Sequence, residues 1–151
     1  MCWATKGTAM LEHVNYWAVL IATASTMVVG SVWYTPKVFG TRWAKLAKVD
    51  LDNVGSAVGP ILTTVLVSFI SAWVLAIATS TAWTAYDGNF FGTAIVVGIL
   101  LWAGFTAARF ITHDAFEGRP AALTIMNIAH ELVTVLIMAI IIGVWPPAGT
   151  V

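Results

Sequence analysis

The sequence predicts an all-α integral membrane protein of four transmembrane helices arranged as two hairpins, with a short interfacial amphipathic helix between helices one and two. Three observations lead there. Hydrophobic residues make up 60% of the 151 positions and charged residues 9%, a balance from which no water-exposed surface can be built. The apolar residues gather into four runs of the roughly 20 residues that cross a hydrocarbon core of about 30 Å as helix. Most of the seven basic and seven acidic residues gather in the short stretches between those runs. Because the runs are continuously apolar and do not alternate, a transmembrane barrel is excluded and only helices satisfy the backbone in lipid.

The spans fall at about 14–34, 60–84, 90–111 and 121–145, within a single transmembrane domain covering 1–151. The first run is too long for a signal-peptide core and ends in Trp33, Tyr34 and Pro36 where a cleavage site would need small residues, so it is expected to stay. Lys37, Arg42, Lys45 and Lys48 lie between spans one and two, and Arg109 and Arg119 flank the turn between three and four. Only Lys6 lies on the other side, so the positive-inside rule puts both termini outside the cytoplasm. Trp17, Trp83, Tyr86 and Trp145 form an outer aromatic belt, and Trp33, Tyr34 and Trp43 an inner one. Trp73 and Trp102 fall near mid-span, where an indole N–H needs a partner.

Between the first two spans, residues 39–48 have a helical period: Phe39, Trp43 and Leu46 share one face, and Arg42, Lys45 and Lys48 the other. This predicts an interfacial helix with Phe39 and Trp43 at the acyl boundary and the cations toward anionic headgroups. Span two carries small residues at every fourth position, Thr64, Ser68, Ala72, Ala76, Ser80 and Thr84. Ala22, Thr26 and Gly30 form a shorter stripe in span one, and Gly104 and Ala108 in span three. In lipid such stripes let backbones approach closely, either within the chain or between copies. Phe39-Gly40-Thr41-Arg42 and Phe116-Glu117-Gly118-Arg119 form a faint internal echo between the two hairpins.

Chemistry within the spans is confined to few residues: Arg109 in helix three, and His130 and Glu131 in helix four. Asn127, Glu131 and Thr134 share one helical face with His130 beside it, a polar stripe that lipid does not tolerate and that must turn inward or toward another subunit. Two readings follow. The groups satisfy one another as a packing network, or His130 and Glu131 are proton acceptors on a transport path. Counted from Ala121, Glu131 lies about 15 Å into its helix, near the midplane. Arg109 could reach it only if helix three runs on into 113–116.

No cofactor is predicted. His130 could serve as an axial ligand to haem or a pigment, but no second histidine lies at matching depth. The turn 113–120 holds His113, Asp114 and Glu117, which as a polar re-entry turn need no metal. The single Cys2 excludes an internal disulfide, and no zinc spacing, hydrolytic constellation, phosphate-binding loop or nucleic-acid patch is present. No catalytic residue is assigned, and no enzymatic role is expected.

The strings Asn15-Tyr16-Trp17-Ala18, Gly30, Trp33-Tyr34-Thr35-Pro36, Phe39-Gly40, Trp43, Trp102, Gly104-Phe105, Phe116-Glu117-Gly118-Arg119-Pro120 and Asn127, in this order, carry a resemblance. The chain resembles a bacterial membrane family known as domain of unknown function 1761, from Asn15 to about Gly143. It departs from that pattern at Thr35, Arg109 and Glu131. The resemblance implies a four-helix protein of the bacterial cytoplasmic membrane and no established activity. The expectation is a non-catalytic accessory or scaffold subunit, as a homo-oligomer or within a larger membrane complex. Its partners would be membrane lipids and other membrane subunits, without nucleic acid. The alternative is a small proton-coupled transporter or channel using the polar face of helix four.

Overall fold

The structure, a computed structural model, describes residues 13–50, 55–86 and 88–150. Cys2 and Lys6, on which part of the orientation argument rests, lie outside the described residues. Four helices are long and apolar enough to span a membrane: α1 (Tyr16–Trp33), α3 (Val58–Tyr86), α4 (Phe90–Phe116) and α5 (Ala121–Val144). A short helical segment, α2, covers residues 36–47 between the first two, entering as a π-helical turn (Pro36–Gly40) and continuing as an α-helix (Thr41–Ala47). The expected hairpins are present as α1 with α3 and α4 with α5, and the contacts of α3 with α4 and of α5 with α1 close them into a ring.

Short polar devices set the ends. Asn15 caps α1 by accepting from the N–H groups of Trp17 and Ala18 at 3.1 and 3.2 Å, and its side-chain amide donates to the Trp145 carbonyl at 3.1 Å. One residue thus starts the first span and ties it to the end of the last. Asn89 caps α4 through the Gly92 N–H at 2.9 Å. Helix α4 runs five residues past its expected end and stops where Gly118 takes a φ of +66°, a conformation that favours glycine. His113 and Asp114 therefore sit on the last turn of a helix instead of in the connection. Asp114 is buried, accepts from the Thr124 hydroxyl of α5 at 2.7 Å and faces Arg119 at 3.6 Å, while Arg119 also pairs with Glu117 at 2.6 Å. The aromatic-glycine-basic echo does not extend to conformation: Gly40 has a φ of −58° inside a helical turn, whereas Gly118 is left-handed.

The core lies in the half of the ring nearest Asn15 and Trp145. There Val19 and Ala22 of α1, Ala72 and Leu75 of α3, Ala94 of α4, and Met138 of α5 are buried together. Ser68, Ala72, Ala76 and Ser80 of the predicted α3 stripe are buried, and the Thr26 hydroxyl donates to Ser68 at 3.0 Å, so this stripe serves the contact with α1. Thr64 is exposed. Gly104 and Ala108 are exposed as well, and among the described residues a Cβ built at Gly104 meets no atom within 4 Å. The seam of α4 with α5 is built from other small residues. A Cβ at Gly98 would come within 3.3 Å of Ala139, and one at Gly143 within 3.0 Å of Phe91 and 3.2 Å of Ala94. Ala94 and Gly98 on one helix thus interlock with Ala139 and Gly143 on the other, two small-residue pairs each four apart and running antiparallel.

Candidate functional site

Beyond the Thr26–Ser68 hydrogen bond α3 parts from the bundle, and every residue from Val58 to Val67 is exposed. The gap is a cleft of about 890 Å³ with walls from α1, α3, α4 and α5, beside the exposed half of α3. It occupies the half of the ring nearest Lys37, Arg42 and Lys45, here called the basic end. His130, Glu131 and Thr134 stand on its α5 wall.

The end of α1 shapes the cleft floor. The Gly40 N–H donates five residues back to the Thr35 carbonyl at 3.0 Å, which winds Pro36–Gly40 as a π-turn. A Cβ at position 40 would lie 2.0 Å from the Tyr34 carbonyl oxygen, so the turn closes this tightly only around glycine. Closure brings the Phe39 ring to 4.5 Å from Trp33 and the Trp43 ring to 5.2 Å from Tyr34. Phe39 and Trp43 are consequently half-buried against the end of α1. Arg42, Lys45 and Lys48 are exposed, as an interfacial helix requires.

Into this aromatic collar α5 inserts His130, with ring centroids 5.6 Å from Trp33 and 5.1 Å from Tyr34. A Cβ at Gly30 would stand 4.0 Å from its Nε2, so a small residue at 30 leaves the imidazole its place. The side chain of His130 is 13% exposed, and its Nδ1 lies 3.4 Å from Glu131 Oε1. Neither ring nitrogen makes a hydrogen bond within the protein. A buried polar group without a partner costs about 1–3 kcal/mol and calls for a cause. Glu131 is 37% exposed on the cleft side. Just past the end of α1, the Tyr34 phenol is pushed above its ordinary range, first by burial and then by the Glu131 carboxylate.

Of the polar residues selected from sequence, the structure brings His130, Glu131 and Thr134 to one wall. Thr134 turns its hydroxyl to the His130 backbone carbonyl at 2.9 Å and so does not satisfy the imidazole. Asn127 is half-buried off the cleft, and Arg109 is exposed on α4. Although α4 does extend through 113–116, Arg109 enters none of the ion pairs among the described residues, which are Arg119 with Asp114 and Glu117, and His130 with Glu131. A mutually satisfied packing network is therefore not what the geometry contains. With Asn15 bonded to Trp145 at one end, His130 meets the last turn of α1 at the other; α5 continues about 14 Å beyond it to Ala121, and α2 packs on α5.

Sequence reasoning treated Trp33 and Tyr34 as interfacial anchors and did not place them against His130; their position at the end of α1 opposite an intramembrane histidine was the available signal. Trp102, noted for its unpartnered indole, lines the cleft and donates its N–H to the Ile128 carbonyl at 2.9 Å. It opens a π-helical turn, Trp102–Ala107, that shifts the register of α4 where it borders the cleft.

Comparison with known proteins places these features in a family. No curated protein and no solved structure matches the chain. Residues 17–143 match the model of the family described as "Protein of unknown function (DUF1761)"; since that match covers α1 to the last turn of α5, the chain belongs to this family of membrane-spanning helical proteins.

Proposed function

We propose that the protein is a non-catalytic accessory subunit of the cytoplasmic membrane, working as a homo-oligomer or inside a larger membrane complex, with its basic end in the cytoplasm. The observation that carries this reading is the outward face of α4. Gly104 and Ala108, spaced for close helix approach, are exposed, with open space at Gly104 among the described residues, and the adjacent half of α3 is exposed too. In lipid a helix gains little from small residues unless another helix packs on them. Native mass spectrometry of the protein extracted in mild detergent tests the proposal. Assemblies heavier than one 16.1 kDa chain are expected, and Gly104→Leu should reduce them to single chains. A monomer that carries no second polypeptide overturns it.

A second reading, proton-coupled transport, is favoured by one specific observation: Glu131 faces the open cleft, with His130 Nδ1 3.4 Å behind it. Under it, Glu131→Gln keeps shape and hydrogen-bonding capacity but cannot exchange a proton. A pH-driven flux in proteoliposomes should then vanish in a variant that still folds and assembles. Equal flux in both proteins, or none in the unmodified one, removes this reading.

A further inference from the structure

We infer that the cleft is a binding site for an amphiphile whose head donates hydrogen bonds, a hydroxyl or an amine, entering from the leaflet at the basic end. The size fits: about 890 Å³ lies in the upper part of the roughly 300–1,000 Å³ spanned by small-molecule and cofactor sites. The lining is divided as an amphiphile is. Apolar side chains, among them Val67, Val74, Leu75, Leu101 and Met138, form the walls toward the middle of the ring. Tyr34, His130 and Glu131 form the polar patch toward the basic end. A lipid-phase molecule in that leaflet has the same orientation, head at the boundary and tail toward the midplane, and would enter beside the exposed half of α3, a helix long and apolar enough to span the membrane.

The head chemistry follows from what the wall offers. Glu131 presents at least one acceptor oxygen in either protonation state, and a neutral imidazole presents one acceptor and one donor. His130 Nδ1 lies 3.4 Å from Glu131 Oε1, and no Arg or Lys stands within ion-pairing distance of Glu131 among the described residues. A carboxylate or phosphate head would meet Glu131 with no cation between them. A hydroxyl or ammonium would donate to the Glu131 carboxyl, the member of the pair that is open to the cleft.

Photolabelling tests this in the assembly as purified, reconstituted into phosphatidylcholine nanodiscs. The probe is a long-chain alcohol carrying a diazirine in its tail, with labelled residues located by peptide mass spectrometry. Labelling should concentrate on cleft residues such as Val74 and Leu101. Dodecanol and dodecylamine should displace it at concentrations about tenfold below dodecanoate, a preference of about 1.4 kcal/mol, and the better of the two identifies the head. Glu131→Leu, which removes the acceptor that faces the cleft, should weaken labelling. So should Ser71→Trp, which plugs the cleft from an exposed position, with Val67→Trp as a second plug if the first variant fails to fold. Labelling spread evenly over the outer faces of all four spans overturns the proposal, as does equal competition by dodecanoate or indifference to a folded plug variant. Cleft residues crosslinked to a second polypeptide instead of to the probe also overturn it, and would identify the cleft as a protein contact.

Discussion

Two glycines of α2 and α4 show how differently one residue type can act. Gly40 is held against the Tyr34 carbonyl, where a Cβ would stand 2.0 Å from the oxygen, and the stacking of Phe39 on Trp33 depends on that closure. Gly40→Ala should cost about 1–3 kcal/mol, the usual range for forcing atoms into a filled site, and should loosen the collar around His130. Gly104 has open space at the same distance. Gly104→Ala should leave the melting temperature of the single chain unchanged or raise it slightly, since alanine is the better helix former by up to about 1 kcal/mol. Thermal unfolding of both variants in one detergent checks the pair. A tolerated Gly40→Ala would show that the π-turn can open without harm to the fold.

At the scale of elements, α4 and α5 are joined by Ala94 and Gly98 against Ala139 and Gly143, where an added Cβ already lies within 3.0–3.3 Å of its neighbours. Gly143→Leu should therefore separate the hairpin, because Phe91 meets that position with backbone as well as ring and cannot simply turn away. Loss of the folded species on size-exclusion chromatography is the expected result, in contrast to Gly104→Leu, which should alter assembly alone. Helix α2 has a different task. Its exposed Arg42, Lys45 and Lys48 should each contribute about 1 kcal/mol of attraction to an anionic surface. Replacing all three with glutamine should cut binding of anionic lipid, measured as lipid retained through purification, without changing the melting temperature. Unchanged lipid retention would mean that the charged face of α2 is only solvated.

For the whole molecule the proposed orientation puts the basic end in the cytoplasm. Because Cys2 is the only cysteine, a membrane-impermeant maleimide should label it in intact spheroplasts. Labelling that requires lysis, with Cys2 shown to be reactive once exposed, reverses the assignment. Within the ring, the core is concentrated at the end where Asn15 meets Trp145, and the opposite half holds the cleft. That division concentrates the buried contacts in one half and leaves the other half of α3 exposed, which is where a structure can open at low cost.

Length and apolar composition alone determined the four spans, because a bilayer imposes one length and one backbone solution on any chain that crosses it. They also identified His130 and Glu131, since an ionisable group among apolar residues is conspicuous. Charge placement and the helical period similarly marked α2 and its exposed cations. Whether small residues faced in or out was not legible: Gly104 and Gly98 have equivalent local sequence signals, and only packing shows that one is bare and the other filled. Nor could the sequence show that α3 leaves the bundle after Ser68, that Gly40 folds Phe39 back onto Trp33, or that His130 ends in the resulting collar without a hydrogen-bond partner. Those features depend on distances between helices far apart in the chain, and in lipid, where every outward face is apolar, hydrophobic pattern no longer distinguishes the inside of a bundle from its outside.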